Sequence, residues 1–371
     1  MIILGIDTSC DDTCMAILKI KNKKLKILSF EILSNIVSSQ VKIHAKYGGV
    51  WPFLAKREHQ KNLPLVFKKA LRQAKNPKIN LIAVTVGPGL EPCLWIGVNF
   101  AKELARKLNL PIVPINHIEA HILANWLTSS LEHRTSNKIF PAICLIVSGG
   151  HTQLILMKSF DQYKILGETR DDAAGECLDK VARILGLPYP GGPAIEKLSK
   201  ASSTRRAGVK PKTYKIELPR PMIYQKNYDF SFSGLKTAVL YQYQKLAPYR
   251  TEGSGAGSKI KNQKYKQAIC LEVQQAIIDV LIYKTIIAAR EYKAKSIILG
   301  GGVAANKELR KQFKKAIKKQ LPNTLYPIPD TLFCTDNAAM VAVSAYFNLK
   351  RKTKNWQKIK VDANLRIDEE L

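Results

Sequence analysis

Short, continuously apolar runs that end in an acid or in glycines recur along the chain. They cover residues 1–6, 81–86, 142–147 and 296–299, and they run into Asp7, Gly87-Pro88-Gly89, Ser148-Gly149-Gly150 and Gly300-Gly301-Gly302. Runs of this length, bounded by turn residues, are typical of strands buried on both faces of an α/β sheet. Glycines directly after a strand let backbone N–H groups approach an anion closely. Four turns directly after strands in one chain, three with glycines and one with an acid, predict a cleft that handles phosphate.

Segments with apolar residues at helical spacing separate these runs. They cover residues 53–71, 98–108, 175–185, 266–292 and 307–319. Pro64 predicts a break or a kink in the first of them, because proline removes one helix hydrogen bond. The order of strands, then helices, then strands again occurs twice, which favours two related α/β lobes.

Length and charge narrow the class of protein. A chain of 371 residues favours two lobes over one core, and 46% hydrophobic with 24% charged residues is an ordinary globular composition. The 59 Lys and Arg residues outnumber the 29 Asp and Glu residues, so the formal net charge is +30. That surplus favours a polyanionic partner, most simply nucleic acid. A lysine-rich proteome and a membrane surface are alternative explanations of the same charge.

Two segments are predicted to be loops. Residues 199–226 are polar, basic and interrupted by prolines, and residues 246–262 include a flexible run of Gly, Ser and Ala. Both are basic, which adds to the case for a polyanionic partner.

Cysteine usage and the absence of long apolar runs bear on the compartment. The seven cysteines form no C-x-x-C pair, and several lie in apolar runs, so buried thiols are expected rather than disulfides or a zinc ribbon. The first residues lack the pattern of a signal peptide, and no apolar run is long enough to span a bilayer. These features predict a cytoplasmic protein that makes no use of a membrane.

His117 and His121 are four residues apart, a spacing that puts both imidazoles on one face of a helix. Such a pair supplies two ligands to a metal ion, so a third ligand must come from elsewhere. A metalloprotease would need the acid directly after the first histidine, as in H-E-x-x-H, but Ile118 stands there and the acid is Glu119. The alternative is that two histidines merely share a half-buried helix.

An ordered series of motifs runs from residue 1 to about residue 345. It comprises Gly5-Ile6-Asp7-Thr8-Ser9-Cys10-Asp11-Asp12, His44, Tyr47-Gly48-Gly49-Val50, Gly87-Pro88-Gly89-Leu90, Asn116-His117-Ile118-Glu119-Ala120-His121, Val147-Ser148-Gly149-Gly150-His151-Thr152, Asp171-Asp172-Ala173-Ala174-Gly175-Glu176, Tyr189-Pro190-Gly191-Gly192-Pro193, Phe230-Ser231-Phe232-Ser233-Gly234-Leu235-Lys236, Gly300-Gly301-Gly302-Val303-Ala304-Ala305-Asn306 and Thr335-Asp336-Asn337-Ala338-Ala339-Met340. Several of these are unspecific alone, but as an ordered set they are highly specific. The chain thereby resembles the bacterial-type tRNA N6-adenosine threonylcarbamoyltransferase family.

The resemblance implies an α/β fold of the actin-like and sugar-kinase-like ATPase (ASKHA) class, with two RNase H-like lobes around a central cleft. It divides the chain into an N-terminal lobe, residues 1–116, to which a C-terminal helix at about 337–350 returns. Residues 117–336 are expected to form the C-terminal lobe, with basic loops near 199–226 and 246–262, and residues 351–371 a basic tail.

The resemblance also implies the reaction. The threonylcarbamoyl group of threonylcarbamoyl-adenylate moves to N6 of the adenosine 3′ of the anticodon, in tRNAs that read codons beginning with A, and AMP leaves. Family members work with an inactive paralogue and a P-loop ATPase, so similar partners are expected here.

Site residues follow from the same resemblance. His117, His121 and Asp336 are implied to hold one divalent metal ion, Fe²⁺ in preference to Zn²⁺, although the donor types alone do not separate the two metals. The adenylate site is implied at Ile146, Val147, Ser148, Gly149, Gly150, Asp179, Gly192, Glu196 and Asn306, and a catalytic role in orienting the acceptor amine or the acyl group at Asp11.

For three of these acids a purely structural role is an alternative. Asp336 could cap the helix that follows it, Asp179 could be an acid on the surface of a helix, and Asp11 could cap the turn after the first strand.

Three residues depart from the family pattern: Phe53 replaces an acid, Glu91 a small residue and Arg170 an apolar residue. The alternative functions are an actin-like-fold ATPase or small-molecule kinase, a metalloprotease, and a catalytically silent scaffold. An ATPase or kinase would give His117 and His121 no role, and a metalloprotease would need an acid where Ile118 stands. The intact set of two histidines and one aspartate argues against a silent scaffold.

Overall fold

The computed structural model describes residues 1–23, 27–127, 136–200, 214, 216–244, 256–327 and 329–369. Residues 201–213, 215 and 246–255 of the two predicted basic loops lie outside these residues. Residues 199–200 and 256–262 are helical, so the loop prediction is wrong there, because the flanking helices extend into both segments. The described chain forms two β-sheets with helices packed against them.

The first sheet has five strands in the spatial order β3-β2-β1-β4-β5. The strands are β1 Ile2–Asp7, β2 Asp12–Lys23, β3 Ile27–Ser39, β4 Leu81–Gly87 and β5 Ile112–Asn116. The three consecutive strands β1 to β3 pair antiparallel, whereas β4 and β5 join in parallel. The carboxyl ends of β1, β4 and β5 therefore lie at the same edge of the sheet.

The second sheet has four strands in the order β8-β7-β6-β9. The strands are β6 Ala142–Val147, β7 Thr152–Ser159, β8 Gln162–Glu168 and β9 Ser296–Gly300. Two antiparallel pairs and one parallel pair repeat the arrangement of the first four strands of the other sheet. This repetition agrees with the two related α/β units that the sequence pattern favours.

Eleven α-helices complete the described chain. They are α1 Val41–His44, α2 Pro52–Gln73, α3 Glu91–Leu108, α4 His117–Leu123, α5 Ser136–Ile139, α6 Ala174–Ile184, α7 Gly191–Lys200, α8 Ser233–Gln244, α9 Ala256–Glu291, α10 Lys307–Gln320 and α11 Ala338–Phe347. No helix among the described residues is long and apolar enough to cross a bilayer.

Two helices differ from the predicted pattern around their prolines. Helix α2 continues through Pro64, whose side chain and that of Gln60 face solvent, where water can bond the carbonyl that the proline leaves unpaired. Helix α3 begins at Glu91, well before the predicted residue 98, because Pro92 occupies its first turn, where no N–H is needed.

Close backbone packing joins the first sheet to α11. A Cβ atom on Gly5 of β1 would lie 2.2 Å from the carbonyl oxygen of Ala338, so only glycine admits the helix at this distance. The buried side chains of α11 belong to one apolar cluster with those of β6 and α4. This packing fixes the start of α11, which directly follows Asp336.

The C-terminal segment lies along the carboxyl edge of the first sheet. Asp362 donates its backbone N–H to Val86 (3.0 Å), and Ala363 accepts from Gly89 (3.1 Å). Arg366 then pairs with Glu168 of β8 at 3.1 Å. Residues of this segment thus contact both sheets.

Candidate active site and metal centre

The turns that follow four buried strands meet at one cavity of about 850 Å³. The turns come after β1, β4, β6 and β9, and their lining residues are Ser9, Cys10, Asp11, Asp12, Pro88, Gly89, Leu90, Ser148, Gly149, Gly150, His151, Gly302 and Val303. Parallel strands end at the same edge of a sheet, so their loops collect there. The apolar runs of the sequence therefore predicted which segments would face each other across this space.

His117, His121 and Asp336 bring their donor atoms together beside the cavity. The Nε2 atom of His117 lies 3.5 Å from Oδ1 of Asp336, and Nε2 of His121 lies 3.3 Å from the same oxygen. All three donor atoms lie within 4.8 Å of one another. The donors thus point at a common position, as ligands of one metal ion do.

A capped helix places the two imidazoles. The Oδ1 atom of Asn116 accepts hydrogen bonds from the backbone N–H groups of Ile118 (2.8 Å) and Glu119 (3.2 Å), so α4 begins at His117. One turn of helix then separates His117 from His121, and their ring centroids lie 4.7 Å apart.

Asp336 lies just before α11, and it does not cap that helix. Asn337 does so, because its Oδ1 accepts from the N–H of Met340 at 3.0 Å. The carboxylate of Asp336 is therefore available to the two histidines, and the plainer reading of this residue as a helix cap is wrong.

Asp7 supports His117 from behind. Its Oδ2 lies 3.5 Å from Nδ1 of His117, while its Oδ1 accepts from the backbone N–H of Ser9 at 3.1 Å. A carboxylate behind a ligating imidazole orients the ring and leaves the other nitrogen for a metal. Sequence reasoning did not single out Asp7; its signal was an acid at the end of a buried strand.

The charges at this centre are strongly coupled. Burial alone lowers the pKa of His117, but the carboxylates of Asp336 and Asp7 outweigh it and raise the pKa to about 10. Burial would raise the pKa of Asp336, yet the two histidines hold it far below its ordinary value. Burial lowers the pKa of His121, only partly offset by Asp336. One carboxylate thus interacts with two imidazoles at once.

The donor set fits a divalent metal ion. Both ring nitrogens of His121 are buried, and neither forms a well-aligned hydrogen bond with a described residue, although Nε2 lies 3.3 Å from Oδ1 of Asp336. A buried nitrogen without a bond is costly, and a metal ion beside Asp336 would satisfy Nε2. Two imidazoles and one carboxylate suit a borderline divalent ion and leave positions for exogenous ligands.

Glu119 takes no part in this centre. It is buried, and its Oε2 forms an ion pair of 2.7 Å with Arg351 of the C-terminal segment. The helix therefore carries no acid in the position that a zinc peptidase uses as general base, which agrees with the sequence argument against a metalloprotease.

The turn after β6 presents backbone to the cavity. Ser148, Gly149 and Gly150 line it, and a Cβ atom on either glycine would meet nothing within 4 Å. Ile146 and Val147 instead lie within β6, with buried side chains that do not line the cavity. These two residues anchor the preceding strand, and so the start of the turn, in the core.

Asp179, in the middle of α6, and Gly192, at the start of α7, lie together on another wall. The Oδ1 atom of Asp179 accepts from the N–H of Gly191 at 2.6 Å. Burial raises the pKa of Asp179, whereas the backbone N–H groups of Gly191 and Gly192 lower it. Asp179 is therefore a half-buried acid facing the cavity, and its plainer reading as an acid on a helix surface does not describe it.

Glu196 and Asn306 connect α7 to the start of α10. The Oε1 atom of Glu196 accepts from the N–H of Lys307 (3.1 Å) and also pairs with Lys200. Asn306 caps α10 through Leu309 (2.9 Å), and its Nδ2 donates to Gln274 at 2.9 Å. Both residues line the cavity.

Asp11 lies in the turn after β1 and lines the cavity. Its Oδ2 is buried without a hydrogen-bond partner among the described residues, and burial raises the pKa of the carboxyl group. The side chain that caps this turn is Asp7, through Ser9. Asp11 is thus left free to face a ligand.

Further polar side chains line the cavity without having been predicted. They are Asp12, His151, Lys180, Arg183 and Tyr189. Arg183 on α6 donates to the carbonyl oxygen of Gly48, across the cavity mouth. Such positions depend on which helix faces which turn, and one-dimensional spacing does not encode that.

The three departures from the family pattern lie away from the metal donors. Glu91 begins α3, is not among the residues that line the cavity, and accepts from Nε1 of Trp95 at 3.4 Å. Arg170 pairs with Asp229 at 2.7 Å. Phe53 is on the surface, with 68% of its area exposed.

Solved structures support the fold. HypF from T. kodakarensis aligns with a TM-score of 0.54 at 15% identity, over 94% of this chain and 47% of that one. Full-length HypF in its phosphate- and nucleotide-bound form aligns with a TM-score of 0.53 at 11% identity, over 94% of this chain and 46% of the other. This chain spans about half of either protein. The predicted α/β fold of the ASKHA class is confirmed.

Sequence relatives identify the family. A protein of Thermosipho africanus named tRNA N6-adenosine threonylcarbamoyltransferase is 45% identical over 99% of this chain and 100% of its own length. A Bacillus subtilis protein of the same name is 43% identical over 93% and 89%. The family model TsaD, tRNA N6-adenosine threonylcarbamoyltransferase, matches residues 31–343. The chain belongs to the tRNA N6-adenosine threonylcarbamoyltransferase family.

Proposed function

We propose that this chain transfers the threonylcarbamoyl group of threonylcarbamoyl-adenylate to N6 of the adenosine 3′ of the anticodon, in tRNAs that read codons beginning with A. AMP is the leaving group. The observation that carries the proposal is 45% identity to a named transferase over nearly the whole chain. The net charge of +30 adds independent support for a polyanionic substrate. The ATPase or kinase alternative has no counterpart in these relatives.

The adenylate is proposed to bind in the 850 Å³ cavity. The open backbone of Ser148–Gly150 and the wall formed by Asp179, Gly192, Glu196 and Asn306 support this assignment. Ionised carboxylates accept hydrogen bonds from ribose hydroxyls, and glycines let the backbone approach an anion. Ile146 and Val147 are proposed to act indirectly, by holding the turn in place.

His117, His121 and Asp336 are proposed to hold one divalent metal ion, Fe²⁺ in preference to Zn²⁺. Two histidines and one carboxylate with open positions suit non-haem Fe²⁺. Such an ion supplies Lewis acidity toward an acyl or phosphoryl oxygen. Asp7 is proposed to keep Nδ1 of His117 protonated, which leaves Nε2 as the donor.

The bond changes require little more than alignment, because the acyl-adenylate is already activated. The N6 lone pair attacks the carbamoyl carbon, the bond from that carbon to the phosphate oxygen breaks, and N6 loses one proton. Asp11 is proposed to orient the amine and to take that proton. Its buried, unpartnered oxygen and its raised pKa support the role.

Domain limits and partners are proposed on the same basis. Residues 1–116 with the helix at about 337–350 form one lobe, residues 117–336 the other, and residues 351–371 a basic C-terminal segment. An inactive paralogue and a P-loop ATPase are the proposed protein partners in turnover.

The test is a reconstituted transfer reaction. The purified chain, loaded with Fe²⁺ or Zn²⁺, is incubated with threonylcarbamoyl-adenylate and a tRNA that reads a codon beginning with A, with and without the proposed partners. Nucleosides are then analysed by mass spectrometry. Threonylcarbamoyladenosine should form with wild type and with Asp161→Asn, an exposed control acid, and should be lost in His117→Ala/His121→Ala. Equal product from the double variant would refute the role of the metal centre.

A further inference from the structure

Three large aromatic side chains are exposed between the end of α1 and the first turn of α2. Tyr47 is 57% exposed, Trp51 55% and Phe53 68%. Side chains of this kind normally bury most of their area, and no other Trp or Phe in the described part of the chain is exposed to this extent. The rings of Tyr47 and Trp51 lie 5.6 Å apart at 58°. We call these three residues the aromatic rim.

Positive charge surrounds the aromatic rim. Residues 41–57 include Lys42, Lys46, Lys56 and Arg57 and contain no Asp or Glu. None of these four cations forms an ion pair with a residue that the structure describes. The surface is therefore aromatic and cationic together, and no described acid neutralises these four charges.

The aromatic rim adjoins the cavity, although its own three residues are not among those that line it. The backbone between its members, at Gly48, Gly49 and Val50, lines the cavity itself. Arg183 of α6 reaches across from the other wall to the carbonyl oxygen of Gly48. A large substrate whose reacting atom enters the cavity would place its neighbouring groups over this surface.

We propose that Trp51 and Phe53, with Tyr47, stack on unpaired bases of the tRNA anticodon loop that flank the adenosine entering the cavity. Unpaired bases are recognised by stacking on aromatic side chains within positively charged surfaces. An adenosine that leaves its stack to react also removes a stacking neighbour from the adjacent bases, which the aromatic rim replaces. The inference rests on the proposed function and names the contact by which that site would hold its RNA.

A protein partner fits this surface less well. An aromatic patch that anchors a protein is expected to lie within a neutral or apolar surround, whereas this patch alternates along the chain with four cations that have no ion-pair partner among the described residues. Its position beside the cavity also favours the substrate over a lasting partner.

The test measures binding of the full chain, with the partner proteins present, to a fluorescently labelled anticodon stem-loop RNA. The variants are Trp51→Ala, Phe53→Ala, their combination and the conservative Trp51→Phe. Tyr224→Ala removes an even more exposed aromatic residue (79%) that does not line the cavity. The backbone N–H of Trp51, which donates to Nδ1 of His44 at 3.3 Å, remains in each variant.

Loss of one stacking ring should weaken RNA binding roughly five- to a hundredfold, while Trp51→Phe and Tyr224→Ala stay near wild type. The same variants are assayed against stem-loops with an abasic site on either side of the target adenosine. If the ring stacks on the base that the abasic site removes, the loss of binding free energy from Trp51→Ala and the loss from the abasic site should not add. If the substitution only disturbs the structure, the two losses should add. The logarithm of the RNA-binding constant falls linearly with the logarithm of the salt concentration. Trp51→Ala should leave the slope of this line unchanged, whereas Lys46→Ala should reduce its magnitude by about 0.7.

Three outcomes would overturn the inference. If the Trp51→Ala/Phe53→Ala variant binds and modifies RNA like wild type, the aromatic rim makes no RNA contact, although the proposed function stands. If the double variant loses a partner protein but not RNA, the aromatic rim is a protein interface. If wild type neither binds nor modifies the stem-loop or whole tRNA, the proposed function fails as well.

Discussion

At the residue scale, His117 lies between two carboxylates, Asp336 on one ring nitrogen and Asp7 on the other. The four-residue spacing of His117 and His121 predicted their shared face. Asp336 came only from the family motif, because it lies far along the chain and nothing in its local pattern marks a ligand. Asp7 was not predicted, since its role depends on β1 ending beside α4. The sequence therefore predicts which side chains share a face of one helix, but it does not predict contacts between different elements.

Asp7→Asn should weaken metal binding without unfolding the protein. The amide keeps the size of the side chain and can still accept from Ser9, but it removes the negative charge behind His117. Loss of such an outer partner typically costs ten- to a hundredfold in metal affinity. Chelator competition on the purified variant measures this, with Asp336→Asn as the more severe comparison. Wild-type affinity in Asp7→Asn would show that Asp7 does not act through His117.

Asp12→Asn should stabilise the fold at alkaline pH. Burial raises the pKa of Asp12 to about 7, well above the ordinary value of 3.8. A carboxyl group with a raised folded-state pKa destabilises the fold once it ionises. The penalty is absent below about pH 4, grows up to about pH 7 and stays constant above it.

The gain in the free energy of unfolding should be about 1–4 kcal/mol at pH 8 and should vanish near pH 4. Urea unfolding of both proteins across this range provides the comparison. A gain that is the same at both pH values would mean that ionisation of Asp12 is not its cause.

At the element scale, four strand ends and one helix pair determine the site. The apolar runs predicted β1, β4, β6 and β9 and their turns because buried parallel strands have continuous apolar sequence. The contact between β1 and α11, at Gly5, was not predicted, because a glycine inside a strand does not reveal which backbone approaches it. That contact nevertheless sets the start of α11 and hence the position of Asp336.

Gly5→Ala should therefore disturb both stability and the metal centre. The added methyl group would lie 2.2 Å from the carbonyl oxygen of Ala338, so the helix must shift. We expect a loss of about 2 kcal/mol or more in the free energy of unfolding, together with weaker metal binding. Gly234→Ala is the matched control: its Cβ meets nothing within 4 Å, and it lies in helix α8, where alanine is favoured over glycine. If Gly5→Ala is destabilised but binds metal like wild type, the packing of α11 on β1 does not control the position of Asp336.

At the scale of the whole molecule, two sheets of similar topology carry one cavity between their strand ends. Fold class and family were predictable because the motifs recur in order along most of the chain. The path of the C-terminal segment was not, because its buried apolar residues, Ile359, Leu365 and Ile367, are too scattered to show a strand or helix period. Its other contacts are backbone hydrogen bonds at Val86 and Gly89 and the ion pairs of Arg351 and Arg366, which leave no pattern in side-chain hydrophobicity.

The most direct measurement is mass spectrometry of nucleosides after one turnover, comparing a tRNA that reads a codon beginning with A with the same tRNA carrying guanosine in place of the target adenosine. The account predicts threonylcarbamoyladenosine in the first tRNA, in an amount equal to the AMP released, and none in the second. Release of AMP without modified nucleoside, with the partner proteins present, would contradict it and indicate a hydrolase that uses the same cavity.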